Sequence, residues 1–302
     1  MRIEKPLWHE GLILTPQHFQ QQDRWSQFAL HQHASAALAE PWGTLAVEVD
    51  EEALATSRLK LTRLKLCFPD GTLIDTGVAD SLPSARDLLQ AIPAERQSVI
   101  VLAALAMTDA NGSNCRLDEA VITRPRRAYR EFVKVMDLNG TSATEIAVER
   151  RAVRLLFDFE SHADDTVCAI ARLTRGANGQ FQLDSRFVPP CLTLGSHRLH
   201  LERVSRLVDI LHAKSLALSA RRGERIEQVA EYGVADVQLF WLLHCIHAAW
   251  PQLRLFATHP SRSPESLYVT LSQLIPLSGQ RLDDLLDTST AHRHSFLRPC
   301  SC

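Results

Sequence analysis

Leu7-Trp8-His9-Glu10-Gly11-Leu12-Ile13-Leu14-Thr15-Pro16-Gln17-His18-Phe19-Gln20-Gln21-Gln22-Asp23 is the stretch from which the rest of the chain is read. Leu7 to Leu14 reads as extended, because Gly11 and the β-branched Ile13 suit a strand or loop. Thr15 suits a helix N-cap. Pro16, at the first helical position, gives up an N–H that would have had no intrahelical partner. A strand that turns abruptly into a helix marks a structural junction.

Downstream, the helical composition continues to about Ala39 and stops before Pro41-Trp42-Gly43. Gly43 to Val49 alternates as a strand. Arg58 to Phe68 alternates too, with Leu59 and Leu61 in one phase and Leu64, Leu66 and Phe68 in the other, so a bulge is expected at Thr62-Arg63. Pro69-Asp70-Gly71-Thr72 is a turn by mechanism, since proline fixes φ and glycine accepts positive φ, and Leu73 to Asp75 returns as the partner strand. Ser84 to Gln90 reads as a short helix. Ser98 to Met107, Glu145 to Val148, Val153 to Phe159, Val167 to Thr174 and Phe181 to Val188 read as strands. Short strands joined by turns, without alternating helices, predict an antiparallel sandwich-like domain.

Pro189-Pro190 marks a change of regime. From Ser196 the period is helical: Leu201, Val204, Val208, Leu211 and Leu218 fall at a/d spacing, with Leu207, Ile210 and Ala217 as a second stripe beside them. So wide an apolar face predicts a bundle. Arg221-Arg222-Gly223 is read as the end of that helix. A second runs from Ala235 to Trp250, with Val237, Trp241, His244, Cys245 and Ala248 on one side, and stops at Pro251. A third opens at Ser263-Pro264-Glu265 and reaches about Gly279. The expected class is α+β: a β-rich domain over 1–190, a helical bundle stalk over 191–286 and an irregular tail over 287–302.

Composition bounds the function. With 302 residues, 45% hydrophobic and 23% charged, the chain has room for two cores. Its longest apolar runs, such as Val99 to Met107, fall well short of the ~20 residues that cross a bilayer, so no membrane insertion is expected. The first ten residues lack a signal-peptide core. A net charge of −2 and a pI near 6.7 give no broad field for nucleic acid. Arg124-Pro125-Arg126-Arg127-Ala128-Tyr129-Arg130 is the local exception, read as a solvated loop or an acidic protein contact. The seven cysteines (Cys67, Cys115, Cys168, Cys191, Cys245, Cys300 and Cys302) are scattered without Cys-x-x-Cys pairs, which fits reduced thiols and a cytoplasmic location.

Chemistry finds little purchase. His197 with His200, and His244 with His247, share helical faces at i, i+3, but no Glu-x-x-His accompanies them. His292-x-His294 and Cys300-x-Cys302 offer ligand types in a tail without periodicity. Nucleophile-elbow and phosphate-loop patterns are lacking. His9, Glu10 and His18 have the residue types of an acid/base group, and serve equally as polar anchors of the junction, with Trp8 and Phe19 as apolar anchors packed in the core or presented to a partner. No catalytic, cofactor or metal residue is assigned. The alternatives are a metal-binding helical-bundle enzyme and a ligand- or nucleic-acid-binding module using Arg124 to Arg130.

Trp8-His9-Glu10-Gly11 followed by Pro16-Gln17-His18-Phe19-Gln20 resembles the opening of TssK, the baseplate subunit family of bacterial type VI secretion systems. Trp42-Gly43, Pro69-Asp70-Gly71-Thr72, His259-Pro260, Glu265-Ser266-Leu267-Tyr268 and Leu277-Ser278-Gly279-Gln280-Arg281-Leu282 extend the likeness from about residue 6 to 285. The resemblance implies a non-enzymatic cytoplasmic homotrimer, standing at the inner face of the membrane when assembled. It would be an adaptor between wedge proteins of TssF/TssG type and a membrane complex of TssL/TssM type. By the same resemblance Trp8, His9, Glu10, Gly11, Leu14, Pro16, Gln17, His18 and Phe19 form the protein-binding junction, and Leu201, Val204, Val208, Leu211 and Leu218 the trimer seam. The family continues into a further C-terminal domain, so the composition change after Asp287 leads to the expectation of a truncated or frame-shifted chain without the membrane-complex contact.

Overall fold

The computed structural model describes residues 2–117, 124–177, 179–228 and 234–278. The chain divides into two compact units, Met1–Leu192 and Thr193–Cys302. It is mixed α and β, with antiparallel sheets in the first unit and helices in the second.

The first unit begins with α1 (Pro16–Ala37), which starts at the proline that the sequence marks. β1 (Gly43–Val49), α2 (Glu51–Ala55), β2 (Arg58–Leu59), β3 (Leu61–Cys67) and β4 (Leu73–Asp75) follow. β1, β3 and β4 form an antiparallel sheet in the order β1-β3-β4. Glu48 pairs with Arg63 and Val49 with Leu61, which leaves Thr62 over as a bulge. The extra residue restores an inward phase for Leu64 and Leu66, both fully buried. In the turn between β3 and β4, Gly71 has φ +83°, and the N–H of Phe68 donates to Thr72 O at 2.9 Å.

β5 (Arg86–Asp87) pairs with β2 and leads into α3 (Leu88–Ala91), a single helical turn where a longer helix was expected. Asp87 caps it, accepting from the N–H groups of Leu89 and Gln90 at 2.9 and 3.2 Å. The remaining strands are β6 (Ser98–Ala106), β7 (Cys115–Arg116), β8 (Ala128–Met136), β9 (Ala143–Arg151), β10 (Arg154–Phe157), β11 (Asp165–Arg175) and β12 (Phe181–Leu183). An antiparallel sheet runs β10-β6-β11-β12, and a smaller one β7-β8-β9. In the latter β7 joins β8 by a two-residue parallel ladder.

One apolar cluster draws on both larger sheets, with Leu61, Leu64 and Leu66 of β3 beside Val101, Ala103 and Leu105 of β6 and Phe157 of β10. Each such fully buried side chain contributes on the order of 1.5–3 kcal/mol. Gly43 sets the end of this unit against its beginning. Its φ is +132°, and a Cβ there would stand 2.9 Å from the Pro190 carbonyl oxygen. The bare backbone lets the Thr44 N–H reach that oxygen at 2.7 Å, while the Leu192 N–H donates to Thr44 O at 3.0 Å.

The second unit has a 3-10 turn at Leu194–Ser196, then α4 (Arg198–Gln228), α5 (Val234–Thr258) and α6 (Pro264–Ser278). Leu194, Val204, Leu207, Leu211, Ile246, Leu253, Phe256 and Leu267 form their shared core. The N–H groups of Leu194 and Gly195 donate to Arg262 O and Pro260 O at 2.9 and 2.7 Å, which pins the start of the unit to the α5–α6 connection.

Four sequence expectations are corrected. α4 runs through Gly223 to Gln228, since one glycine in a helix interior costs only about 1 kcal/mol. α5 runs through Pro251 to Thr258, because beyond the proline Leu253 and Phe256 are buried in the shared core. Of the stripe expected on α5, Val237, Trp241, His244 and Ala248 face outward and only Cys245 is buried, while Ile246, Ala249, Leu253 and Phe256 face inward. Ala128 to Tyr129, expected in a loop, begins the nine-residue strand β8. Gly279 and the 287–302 tail lie outside the described residues.

Candidate protein-binding surface

Leu7 to Leu14 has no ladder partner among the described residues, so the expected strand is an irregular extended segment with a turn at Glu10-Gly11. Gly11 takes φ +80° there. The Leu12 N–H donates to His9 O at 3.4 Å, and the His9 ring Nδ1 lies 2.9 Å from Glu10 O. These local bonds shape the segment before Thr15 turns the chain into α1.

At that corner the Thr15 N–H donates to His18 Nδ1 at 3.2 Å, with Thr15 Oγ1 2.9 Å from the same nitrogen. A capping box normally uses Glu or Gln at this third helical position, and here the imidazole takes the role. The bond holds the His18 ring where Trp8 meets it, with ring centroids 6.2 Å apart, and the Phe19 ring lies 6.4 Å from that of Trp8. Trp8 and Phe19 are 48% and 58% exposed, and Leu7, Ile13 and Leu14 are exposed as well. No residue of α1 is buried. Between packed in the core and presented outward, the second describes this segment.

His9, Glu10 and His18 do not converge as an acid/base group: His9 is engaged with Glu10 O and His18 with Thr15. Gln17 is exposed beside them, and Pro16 occupies the first helical position.

The a/d stripe of α4 is placed elsewhere. Val204 and Leu211 are buried, and Leu201, Val208 and Leu218 half-buried, against Leu253 and Phe256 of α5 and Leu267 of α6. Within one chain the stripe is filled only in part, since Leu201, Val208 and Leu218 keep exposed surface.

The histidine pairs are occupied by ordinary contacts. His197 and His200 lie edge to face at 6.4 Å, and His247 Nε2 is 2.8 Å from Ser215 Oγ. Burial, with His197 and Arg203 nearby, pushes His200 down to about 4. Among the described residues no group of three His, Cys, Asp or Glu is arranged to hold a metal. His292, His294, Cys300 and Cys302 lie outside them. Burial pushes the thiols of Cys168 and Cys191 up to about 12 and about 11, which keeps them protonated.

The arginine cluster is a solvated loop only in part: Arg124 and Arg130 are exposed, and Arg127 is not. Arg127 is buried, and its guanidinium donates to Ala106 O at 2.7 Å, to Asp70 Oδ2 at 2.8 Å and to Thr72 Oγ1. Its charge is used inside the unit, tying the β3–β4 turn to the end of β6. Strand β8 was the element missed, although Tyr129, Phe132, Val133 and Val135 carried the β-branched and aromatic signal.

A two-unit chain with exposed apolar rings, Trp8 and Phe19, around the start of its first helix has the character of a protein that binds other proteins. Over residues 18–276 it matches the family described as "Bacterial Type VI secretion, VC_A0110, EvfL, ImpJ, VasE", and it belongs to that family. It is 24% identical over 281 residues to the type VI secretion system baseplate component TssK1 of Pseudomonas aeruginosa, covering 91% of this chain and 60% of that protein. It thus spans 60% of the length of that curated relative. Among solved structures, a chain of the cryo-electron microscopy TssK-TssF-TssG baseplate subcomplex of the type VI secretion system is 39% identical, with TM-score 0.82, covering 91% of this chain and 87% of that one. A chain of the type VI secretion baseplate complex is 40% identical, with TM-score 0.86, covering 92% and 62%. No helix among the described residues is long and apolar enough to cross a membrane.

Proposed function

We propose that the chain is a structural baseplate subunit of a type VI secretion system, a cytoplasmic homotrimer that joins the baseplate wedge to the inner-membrane complex and carries out no catalysis. In this reading residues 1–190 form a sandwich-like docking domain and 191–286 a helical bundle stalk. Trp8, His9, Glu10, Gly11, Leu14, Pro16, Gln17, His18 and Phe19 engage wedge proteins of TssF/TssG type. The observation that carries it is the family match over residues 18–276, joined to the outward placement of Trp8 and Phe19. Exposed aromatic rings set among polar groups are what binding hot spots are made of. Leu201, Val204, Val208, Leu211 and Leu218 of α4 form the trimer seam, the half-buried Leu201, Val208 and Leu218 meeting their counterparts in the other chains while Val204 and Leu211 hold the helices of each chain together.

The test is co-purification of the chain with wedge proteins, wild type against a Trp8→Asp/Phe19→Asp double variant, with light scattering on both. Retention by the wild type and loss by the double variant, at an unchanged trimer mass, supports the reading. Equal retention by both overturns the role of the junction, and a stable monomer at micromolar concentration overturns the trimer.

A further inference from the structure

An open groove of about 360 Å³ lies where the segment Ser81 to Ser84 passes the start of β8 and the end of β9. Arg116, Arg126, Arg151 and Arg154 line it, and among the described residues its lining contains no Asp or Glu. Two of the four are neutralised: Arg151 pairs with Glu149 and Arg154 with Asp165. Arg116 lies over the Tyr129 ring, 5.9 Å from its centroid, and is exposed. Arg126 is half-buried, and neither it nor Arg116 has a carboxylate partner among the described residues. The groove therefore carries about two uncompensated positive charges in a chain whose net charge is −2. The Arg154 Nε is also buried without a hydrogen-bond partner. Such an atom normally finds an acceptor.

The other wall is of different character. Leu82, 43% exposed, gives an apolar surface among the lining residues, resting on the buried Pro83 and Val153. A free inorganic anion would use only the charges, and a nucleic acid would need a longer basic track than one short groove on a near-neutral chain. A polypeptide carrying carboxylates between apolar side chains uses both walls at once. Arg126 offers the fork geometry that binds a carboxylate in two parallel hydrogen bonds.

We propose that this groove is a docking site for an extended acidic segment of a partner protein, whose carboxylates sit on Arg126 and Arg116 and whose apolar side chains lie on Leu82. The proposal stands apart from the junction at Trp8 and Phe19, and does not depend on it.

The experiment is fluorescence anisotropy of the full chain with a fluorescein-labelled peptide in which three glutamates alternate with leucine and serine. The same peptide with glutamine for glutamate, inorganic phosphate and a short single-stranded DNA serve as competitors. The expected result is binding of the glutamate peptide that falls at least tenfold in Arg126→Glu and in Arg116→Glu, and that the glutamine peptide does not displace. Ser84→Trp, which fills the groove without altering a charge, should abolish it, with circular dichroism confirming the fold of each variant. Failure of the glutamate peptide to bind, equal competition by the glutamine peptide, or displacement by DNA or phosphate at lower concentration than by unlabelled glutamate peptide would each overturn the proposal. Loss of wedge binding in the Trp8 and Phe19 variant with this peptide affinity unchanged separates the two sites.

Discussion

Asp70 and Arg127, 57 residues apart in sequence, meet at 2.8 Å, and the contact fastens the β3–β4 turn to the entry of β8. Burial pushes the Asp70 carboxyl up, but the Arg127 guanidinium and the hydrogen bonds from Thr72 outweigh it and hold it below the ordinary carboxylate range. Arg127→Ala removes the guanidinium donor of Ala106 O and the counter-charge of Asp70, and should destabilise the first unit by about 3 kcal/mol in urea unfolding. The folded pKa is the lower one, so the stabilisation is present above the unfolded value near 3.8 and disappears as pH falls through the folded value. Asp70→Asn should flatten that part of the stability profile below pH 4. An unchanged acid slope in Asp70→Asn would show that other carboxylates set it.

The same turn meets α1. A Cβ on Gly71 would stand 2.4 Å from His31 Nδ1, and the φ of +83° is left-handed. Gly71→Ala should therefore cost about 1–2 kcal/mol for the backbone, plus the displacement of His31. In a double-mutant cycle His31→Ala should recover the steric part and leave the backbone part. Complete recovery would place the whole cost in the clash.

What the sequence disclosed was local. Pro16, the phase slip at Thr62-Arg63 and the turn at Pro69 to Thr72 each act through their own backbone within a few residues, and each stands where the pattern put it. Pro251 misled because its local cost is met by Leu253 and Phe256, whose burial depends on α4 and α6. Stopping the helix there also hid the buried stripe of α5, half of which lies beyond the proline. Arg127 was illegible for the same reason: its acceptors, Asp70, Thr72 and Ala106, are distant in sequence. At the candidate surface, spacing could bring Trp8 near His18 and Phe19. Whether the cluster faced a core or solvent needed the tertiary structure.

The occupied a/d stripe of α4 alters what a substitution in it should do. Leu211 is buried within its own chain, so Leu211→Asp puts an unpaired carboxylate among Leu253 and its neighbours and should unfold the helical unit. Leu253→Ala, a milder lesion at a fully buried site, should cost about 3 kcal/mol. Helical circular dichroism at 222 nm during thermal unfolding, repeated at several protein concentrations, checks this: the Leu253→Ala midpoint should fall by a similar amount at each, because the lost contacts lie within one chain. A fall confined to low protein concentration would place the lost contacts between chains instead.

His200 makes the helical unit sensitive to mild acid. Burial favours its neutral form, and its pKa stands at about 4, against 6.5 for an ordinary histidine. Here the folded value is the lower one for a base, so the unfolded chain takes up the proton first. Stability is intact above about pH 6.5 and declines as pH falls from there toward about 4, by about 1.4 kcal/mol per unit through the middle of that range. His197, also held below its ordinary value by burial, adds to the same slope. His200→Gln keeps a polar side chain of similar length and removes the titration. Urea unfolding at pH 7 and pH 5 should show a smaller loss in the variant than in the wild type, by about 2 kcal/mol. Equal losses in both would mean that His200 is solvated in the folded chain and that the acid sensitivity originates in carboxylates elsewhere.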